Sequence, residues 1–297
     1  MTNLPLEVKN ALSDIAKDGL TPNMFIEIWN KSSKFLVDGT LKYDLQKIDE
    51  LVFTKYRDYY DRVNEFLSST VVSYDSIQHL EEYIKLFLAK IYDCDTNIEA
   101  PEFLDNETKM IIGEASFKNA VIMEDINLSY TPCHHCYGRI HSIPFEVIVT
   151  GTCYRKEEYH DQFRKSKFRM VEYVCADTLC VLESKKNQIL FMFKKIAEVF
   201  GFENYQVVIA NDSFLTDDPI KIAYQYLRKS KVELQVYIES YGKYVAFMSV
   251  NMHFDFFSRK FGFKDSSGNF INSMCLGFGI DRIYEAMNDC NTYVPNK

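Results

Sequence analysis

The hydrophobic positions change their period once along this chain. Up to about residue 93 they recur at helical spacing. Leu41, Leu45, Ile48 and Val52 make one stripe, and Ile77, Leu80, Tyr83, Ile84, Phe87 and Leu88 another. Residues 5 to about 93 are therefore predicted to be helical, followed by a looser stretch containing Pro101 and Asn106. From about Lys109 short alternating runs take over: NAVIM, FEVIVTGTCYR, KFRMVEYVCA, YQVVIAN, KVELQVYIES and YVAFMSVNMHF read as strands. One amphipathic helix, Leu182 to Phe200, interrupts them. The closing CLGFGIDRIYEAM reads as a glycine-punctuated turn feeding a last helix. Strands separated by only a few residues favour a mostly antiparallel sheet flanked by helices, an α+β fold, over a doubly wound parallel sheet. The expected division is a mainly helical N-terminal region, residues 1–108, packed on a core formed by 109–297.

Composition narrows what such a fold could do. The chain has 297 residues, enough for a full hydrophobic core, and 34 basic against 42 acidic side chains, a formal charge of −8. That balance argues against a general nucleic-acid binder, which relies on Lys and Arg to neutralise phosphates. Basic clusters do occur at Arg164–Arg169, Arg228–Lys231 and Arg259–Lys264. The opening MTNLPLEVKN lacks the basic-then-apolar order of a secretory signal, and no apolar run is long enough to span a bilayer. A cytoplasmic location and no membrane partner are expected, so the eight cysteines should be core thiols or metal ligands rather than disulfides.

Three stretches offer chemistry. In CYRKEE, Arg155 and Glu157 are two apart and would share a strand face, as would Phe168, Met170 and Glu172 in KFRMVEYV. Arg155 could grip a phosphate with its planar fork, Glu157 could accept from an exocyclic amine, and Phe168 offers a flat surface for a base. A plain hairpin with a surface ion pair and a core Phe would show the same pattern. In LGFGIDRIYEAM, two glycines before a helix can let backbone approach a ligand, and Arg282 adds positive charge in the first turn. The stretch is not GxGxxG, so a Rossmann reading fails. The run TPCHHCYG supplies Cys133, His134, His135 and Cys136, but no second CxxC follows to complete a structural zinc ribbon. An open catalytic zinc needs only three protein ligands, and Cys133, Glu172 and Cys275 would make such a set; buried cysteines are also common as ordinary core residues.

Taken in order, CYRKEE, KFRMVEYV and GFGIDRIYEAM resemble the second and third signature motifs of class II aminoacyl-tRNA synthetases. TPCHHCY, the Glu of FRMVEY, ANDSF, SVNMHFDFF and SMCLGFGIDR together resemble the amino acid:[carrier protein] ligases, truncated relatives of the zinc-dependent seryl-tRNA synthetases. The resemblance runs from Leu128 to Met287. It implies a class II synthetase-like antiparallel sheet and zinc held by Cys133, Glu172 and Cys275. Cys133 is preferred to Cys136 because Tyr137 falls where the family's Cys-x-x-x-Tyr-Pro has its Tyr, although Gly138 replaces the proline. It further implies that Arg155 binds the ATP α-phosphate and the substrate carboxylate, Glu157 the adenine amine and Arg282 the γ-phosphate, with Phe168 stacked on adenine. Mg2+ would accompany ATP. The seryl-type enzymes have a Glu where this chain has Val245, which leaves Glu233, Ser249 and Asn251 as candidates for holding Mg2+, Glu233 on the ATP side and Ser249 and Asn251 on the substrate side. The implied reaction activates a small amino acid as its adenylate and passes it to the phosphopantetheine thiol of an acyl or peptidyl carrier protein, within a homodimer. No tRNA is expected, because residues 1–100 carry no basic stripe. Charging of tRNA is the alternative; a non-catalytic regulator would show erosion of the Arg, Glu and Cys set, all of which is in place.

Overall fold

The computed structural model describes residues 76–105, 126–156, 159–211 and 228–292, with scattered positions such as Leu41, Lys42, Val63 and Phe66. In chain order the elements are β1 (Leu41–Lys42), α1 (Ile77–Tyr92), β2 (Asn97–Glu99), β3 (Ile122–Met123), β4 (Ile126–Asn127) and α2 (His134–Tyr137). Then come β5 (Phe145–Tyr154), β6 (Lys167–Asp177), α3 (Leu179–Val199), β7 (Tyr205–Ala210) and β8 (Lys231–Ile238). The last four are β9 (Lys243–Phe254), α4 (Phe256–Phe261), β10 (Asn272–Gly279) and α5 (Ile280–Thr292).

Eight strands form one sheet in the order β1-β7-β8-β9-β10-β6-β5-β2. All neighbours are antiparallel except β2, which runs parallel to β5. The α+β fold is therefore as the pattern predicts. Two of the sheet's strands, β1 and β2, lie before residue 108.

Alternation assigns the two faces of the sheet to different tasks. On one face, Val171, Tyr173 and Cys175 of β6, Val232, Leu234 and Val236 of β8 and Met274, Leu276 and Phe278 of β10 are buried with α1, α3 and α5 in one continuous core. Helix α1 lays Leu80, Ile84, Phe87, Leu88 and Ile91 onto this core. It begins where the extended Ser76 accepts the His79 N–H, and ends where Asp93 turns left-handed at φ 54°. The opposite face carries a smaller apolar cluster, including Val147, Val149, Val174, Tyr137 and Phe257, covered by α2 and α4. The candidate chemistry sits on this second face.

Several elements differ from expectation. Leu41 lies in a strand rather than a helix, and Leu45, Ile48 and Val52 fall outside the described residues. Helix α3 starts three residues before the predicted Leu182. The Gly-x-Gly pair is not a turn: Gly277 and Gly279 are the last residues of β10, which passes straight into α5.

Candidate functional site

Two cross-strand rows frame the site. Glu233 of β8 faces Ser249 of β9, which faces Gly277 of β10, which faces Glu172 of β6. One step along the strands, Lys231, Asn251, Cys275 and Val174 make the second row. Cys133 reaches the same place from the turn that opens α2. The ligand atoms of Cys133, Glu172 and Cys275 all lie within 4.8 Å of one another, and all three residues are buried.

Glu172 can lie flat across the sheet because its neighbour has no side chain. A Cβ added to Gly277 would come within 3.2 Å of both Glu172 Oε1 and Met170 Cε. The carboxylate is held from the other side as well: Thr131 Oγ1 donates to Oε1 at 2.7 Å and the Cys133 backbone N–H to Oε2 at 2.7 Å. Asn251 Nδ2 donates to Cys275 Sγ at 3.5 Å and to Ser249 Oγ at 3.1 Å.

Three acids buried together in this way conflict electrostatically. Burial, reinforced by the charge on Cys275, pushes the Glu172 carboxyl up to about 7. Burial pushes the Cys133 thiol well above its ordinary range. Its hydrogen bond to Cys275, with further help from His253 and Asn251, holds the Cys275 thiol well below it. Among the described residues, no Lys or Arg pairs with any of the three. A divalent cation would relieve the conflict, and two thiolates with one carboxylate are a donor set suited to zinc. The residues therefore fit such an ion. Cys136, the competing ligand, is buried in the same apolar cluster but is not among the residues whose ligand atoms converge.

A second group lies further along β6. Arg155 follows the end of β5, so it leaves from a loop rather than from the predicted strand; its N–H still bonds Ser166 O at 3.0 Å. Its guanidinium lies 4.6 Å from the Tyr130 ring centre and 4.8 Å from that of Phe168, with Nη2 3.9 Å from Met170 Sδ. Phe168, Met170 and Glu172 alternate on one face of β6, as expected. Glu157 lies outside the described residues.

Arg282, in the first turn of α5, donates Nε to Phe163 O at 2.9 Å and Nη1 to Ala246 O at 3.1 Å. With Phe168, Gln162, Phe163, Lys165 and Asp281 it lines a small cleft. The helix start is tied down beside it, since Asp281 accepts from the Arg169 N–H at 2.7 Å and from Lys165 Nζ at 3.2 Å. Glu233 pairs with Lys231 at 3.4 Å and accepts from Gln235 at 2.9 Å.

The structure thus gathers Cys133, Glu172, Cys275, Asn251 and Ser249 into one cluster, and Arg155 and Phe168 into an adjoining one. Arg282 meets Phe168 across the cleft. Three contributors escaped the sequence: Thr131, Tyr130 and His253. Thr131 and His253 lay inside the quoted runs TPCHHCYG and SVNMHFDFF without being singled out, whereas Tyr130 lay just outside the first. The basic clusters are largely committed within the fold. Arg169 is bound by Glu81 and Glu99, Lys165 by Asp281 and Glu285, and Arg259 by Asp255.

Comparison with known proteins places this architecture. The seryl-tRNA synthetase of M. kandleri, solved with A. aeolicus tRNASec, superposes with a TM-score of 0.59 at 15% identity, covering 74% of this chain and 53% of that one. The prolyl-tRNA synthetase of Cryptosporidium parvum, solved with L-proline and AMP, gives 0.54 at 17% identity over 71% of this chain and 44% of that one. The fold is that of a class II aminoacyl-tRNA synthetase. In sequence the chain is similar to amino acid–[acyl-carrier-protein] ligase 2 of Bradyrhizobium diazoefficiens, 29% identical over 170 residues, which are 55% of this chain and 51% of that protein. The match thus spans about half the length of this curated relative. No family model matches the chain. The segments whose sequence resembles the second and third class II motifs lie on β5, β6 and the β10–α5 junction. No helix among the described residues is long and apolar enough to cross a membrane.

Proposed function

We propose that this chain is an adenylate-forming ligase that activates an amino acid with ATP and transfers it to the phosphopantetheine thiol of a carrier protein. The observation that carries the reading is the convergence of Cys133, Glu172 and Cys275 at the sheet face that bears Phe168, over whose ring the Arg155 guanidinium lies. Similarity to carrier-protein ligases supports the choice of acceptor.

In this reading Cys133, Glu172 and Cys275 hold zinc, which supplies a Lewis-acid site for the free amine of the substrate. Arg155 takes the carboxylate and the ATP α-phosphate, so the amino acid is anchored at both ends. Phe168 stacks on the adenine, Glu157 accepts from its amine, and Arg282 holds the γ-phosphate across the cleft. Glu233 stands with the nucleotide and its Mg2+, Ser249 and Asn251 with the amino acid. A substrate carboxylate oxygen bonds to the α-phosphorus, the bond to the bridging oxygen breaks, and pyrophosphate leaves. The pantetheine thiol gives its proton to solvent as its sulfur bonds to the adenylate carbonyl carbon, the bond from that carbon to the phosphate oxygen breaks, and AMP leaves. No protein nucleophile is needed, so catalysis consists of positioning and positive charge. Residues 109–297 would form the catalytic core, the protein would act as a homodimer in the cytoplasm, and no tRNA would be required.

ATP–pyrophosphate exchange with each standard amino acid, in zinc and magnesium, tests the first step. Exchange with one or a few small amino acids is expected, and none with any of them would refute the reading. Transfer of the activated label to phosphopantetheinylated carrier protein, and not to tRNA, is expected in the second.

A further inference from the structure

The segment that delivers Cys133 to the site delivers a second group one helical turn later. Tyr137 is four residues on, fully buried, and its ring stacks on Phe257 with centres 3.7 Å apart and planes within 8°. That stack fixes where its hydroxyl points. The oxygen lies 3.0 Å from His253 Nδ1, and the other ring nitrogen, Nε2, lies 3.8 Å from Cys275 Sγ. The His253 ring is itself held edge-on by Phe257, with centres 4.9 Å apart at 81°.

The phenol decides the tautomer. When the phenol donates to Nδ1, the imidazole N–H is the one on Nε2, 3.8 Å from the sulfur. We infer that Tyr137 and His253 form a hydrogen-bond chain, Tyr137 Oη–H to His253 Nδ1 and His253 Nε2–H to Cys275 Sγ, which orients Cys275 as a metal ligand. The inference rests on the metal reading of Cys133, Glu172 and Cys275. Both residues are positioning residues. With Asn251 Nδ2 at 3.5 Å, the Cys275 sulfur then receives two N–H donors from alternate residues of β9. The short α2 segment therefore serves two ligands: Cys133 directly, and Cys275 through the hydroxyl of Tyr137.

The test uses the full chain, stripped with a chelator and titrated with Co2+ alone. The thiolate-to-cobalt charge-transfer absorption reports both affinity and the state of the sulfurs. Tyr137→Phe removes only the hydroxyl and keeps the stack on Phe257, so it is the deciding variant; His253→Leu removes the donor, and His253→Gln restores an N–H. Outer partners of this kind are worth roughly 10–100-fold in metal affinity. Tyr137→Phe and His253→Leu are expected to weaken Co2+ binding by that order and to shift the charge-transfer band, with partial recovery in His253→Gln. Wild-type affinity and an unshifted band in Tyr137→Phe would overturn the chain, even if His253→Leu failed to fold. If the wild-type protein took up no Co2+, the metal reading itself would fall, which is a distinguishable result.

Discussion

Gly277 is the position where a single methyl group should separate folding from chemistry. The added Cβ would stand 3.2 Å from Glu172 Oε1 and 3.2 Å from Met170 Cε. Met170 can swing its terminal methyl aside. Glu172 cannot easily yield, because both its oxygens are already fixed at 2.7 Å by Thr131 and the Cys133 N–H. Moving the carboxylate by a few tenths of an ångström strains those bonds and shifts a proposed metal ligand. Overpacking of this sort costs about 1–3 kcal/mol. The same strand supplies its own control. A Cβ on Gly279 meets nothing closer than 3.8 Å, so Gly279→Ala should be neutral or gain the roughly 0.5–1 kcal/mol that alanine holds over glycine inside a strand. Thermal melting of the two variants side by side should place Gly277→Ala lower by about 2–12 °C, at ~2–4 °C per kcal/mol for about 1–3 kcal/mol. Zinc titration should show weaker binding in Gly277→Ala. Equal melting temperatures and equal zinc affinity in the two proteins would refute the claim that Gly277 exists to seat Glu172.

Other consequences can be checked directly. Cys133→Ser and Cys275→Ser should each lose stoichiometric zinc by elemental analysis, whereas Cys136→Ser should keep it. Arg155→Ala and Arg282→Ala should each lower ATP–pyrophosphate exchange by about 10²–10³-fold, the cost of removing one preorganised charge donor. In metal-free protein the Glu172 carboxyl, raised from 4.5 to about 7, binds a proton that the unfolded chain releases. Its contribution to stability is full below pH 4.5 and lost as pH rises through about 7. Denaturant unfolding should therefore show wild type losing up to about 3 kcal/mol relative to Glu172→Gln across that window. Arg169→Ala should destabilise by about 1–3 kcal/mol in the same assay, since it unties Glu81 of α1 and Glu99 of β2 from β6.

Strands were legible because their alternation survives in the sequence. KVELQVYI and KFRMVEYV announce both their conformation and which residues share a face. The site was legible only in part. Cys133, Glu172 and Cys275 are 39 and 103 residues apart in number, and spacing alone could not join them; the family resemblance did, and the distances agree. Gly277 and Gly279 misled because a Gly-x-Gly pair looks the same whether it bends the chain or vacates space for a neighbour. Arg155 left its strand one residue early, which nothing local announces. The Arg164–Arg169 cluster looked available because its acidic partners are remote: Arg169 and Glu81 are separated by 88 positions, Lys165 and Glu285 by 120.

The two-faced sheet carries an implication for how this protein can diverge. Because β10 points Met274, Leu276 and Phe278 one way and Cys275, Gly277 and Gly279 the other, substitutions on one side leave the opposite side's inventory untouched. Drift in the helix-packed residues and selection on the chemical ones can proceed on separate ledgers, strand by strand. Gain or loss of one residue inside β10 is different: it would exchange the two inventories at a stroke. Lineages of this fold should exchange apolar residues of similar volume on the helix side, and change the length of β10 almost never.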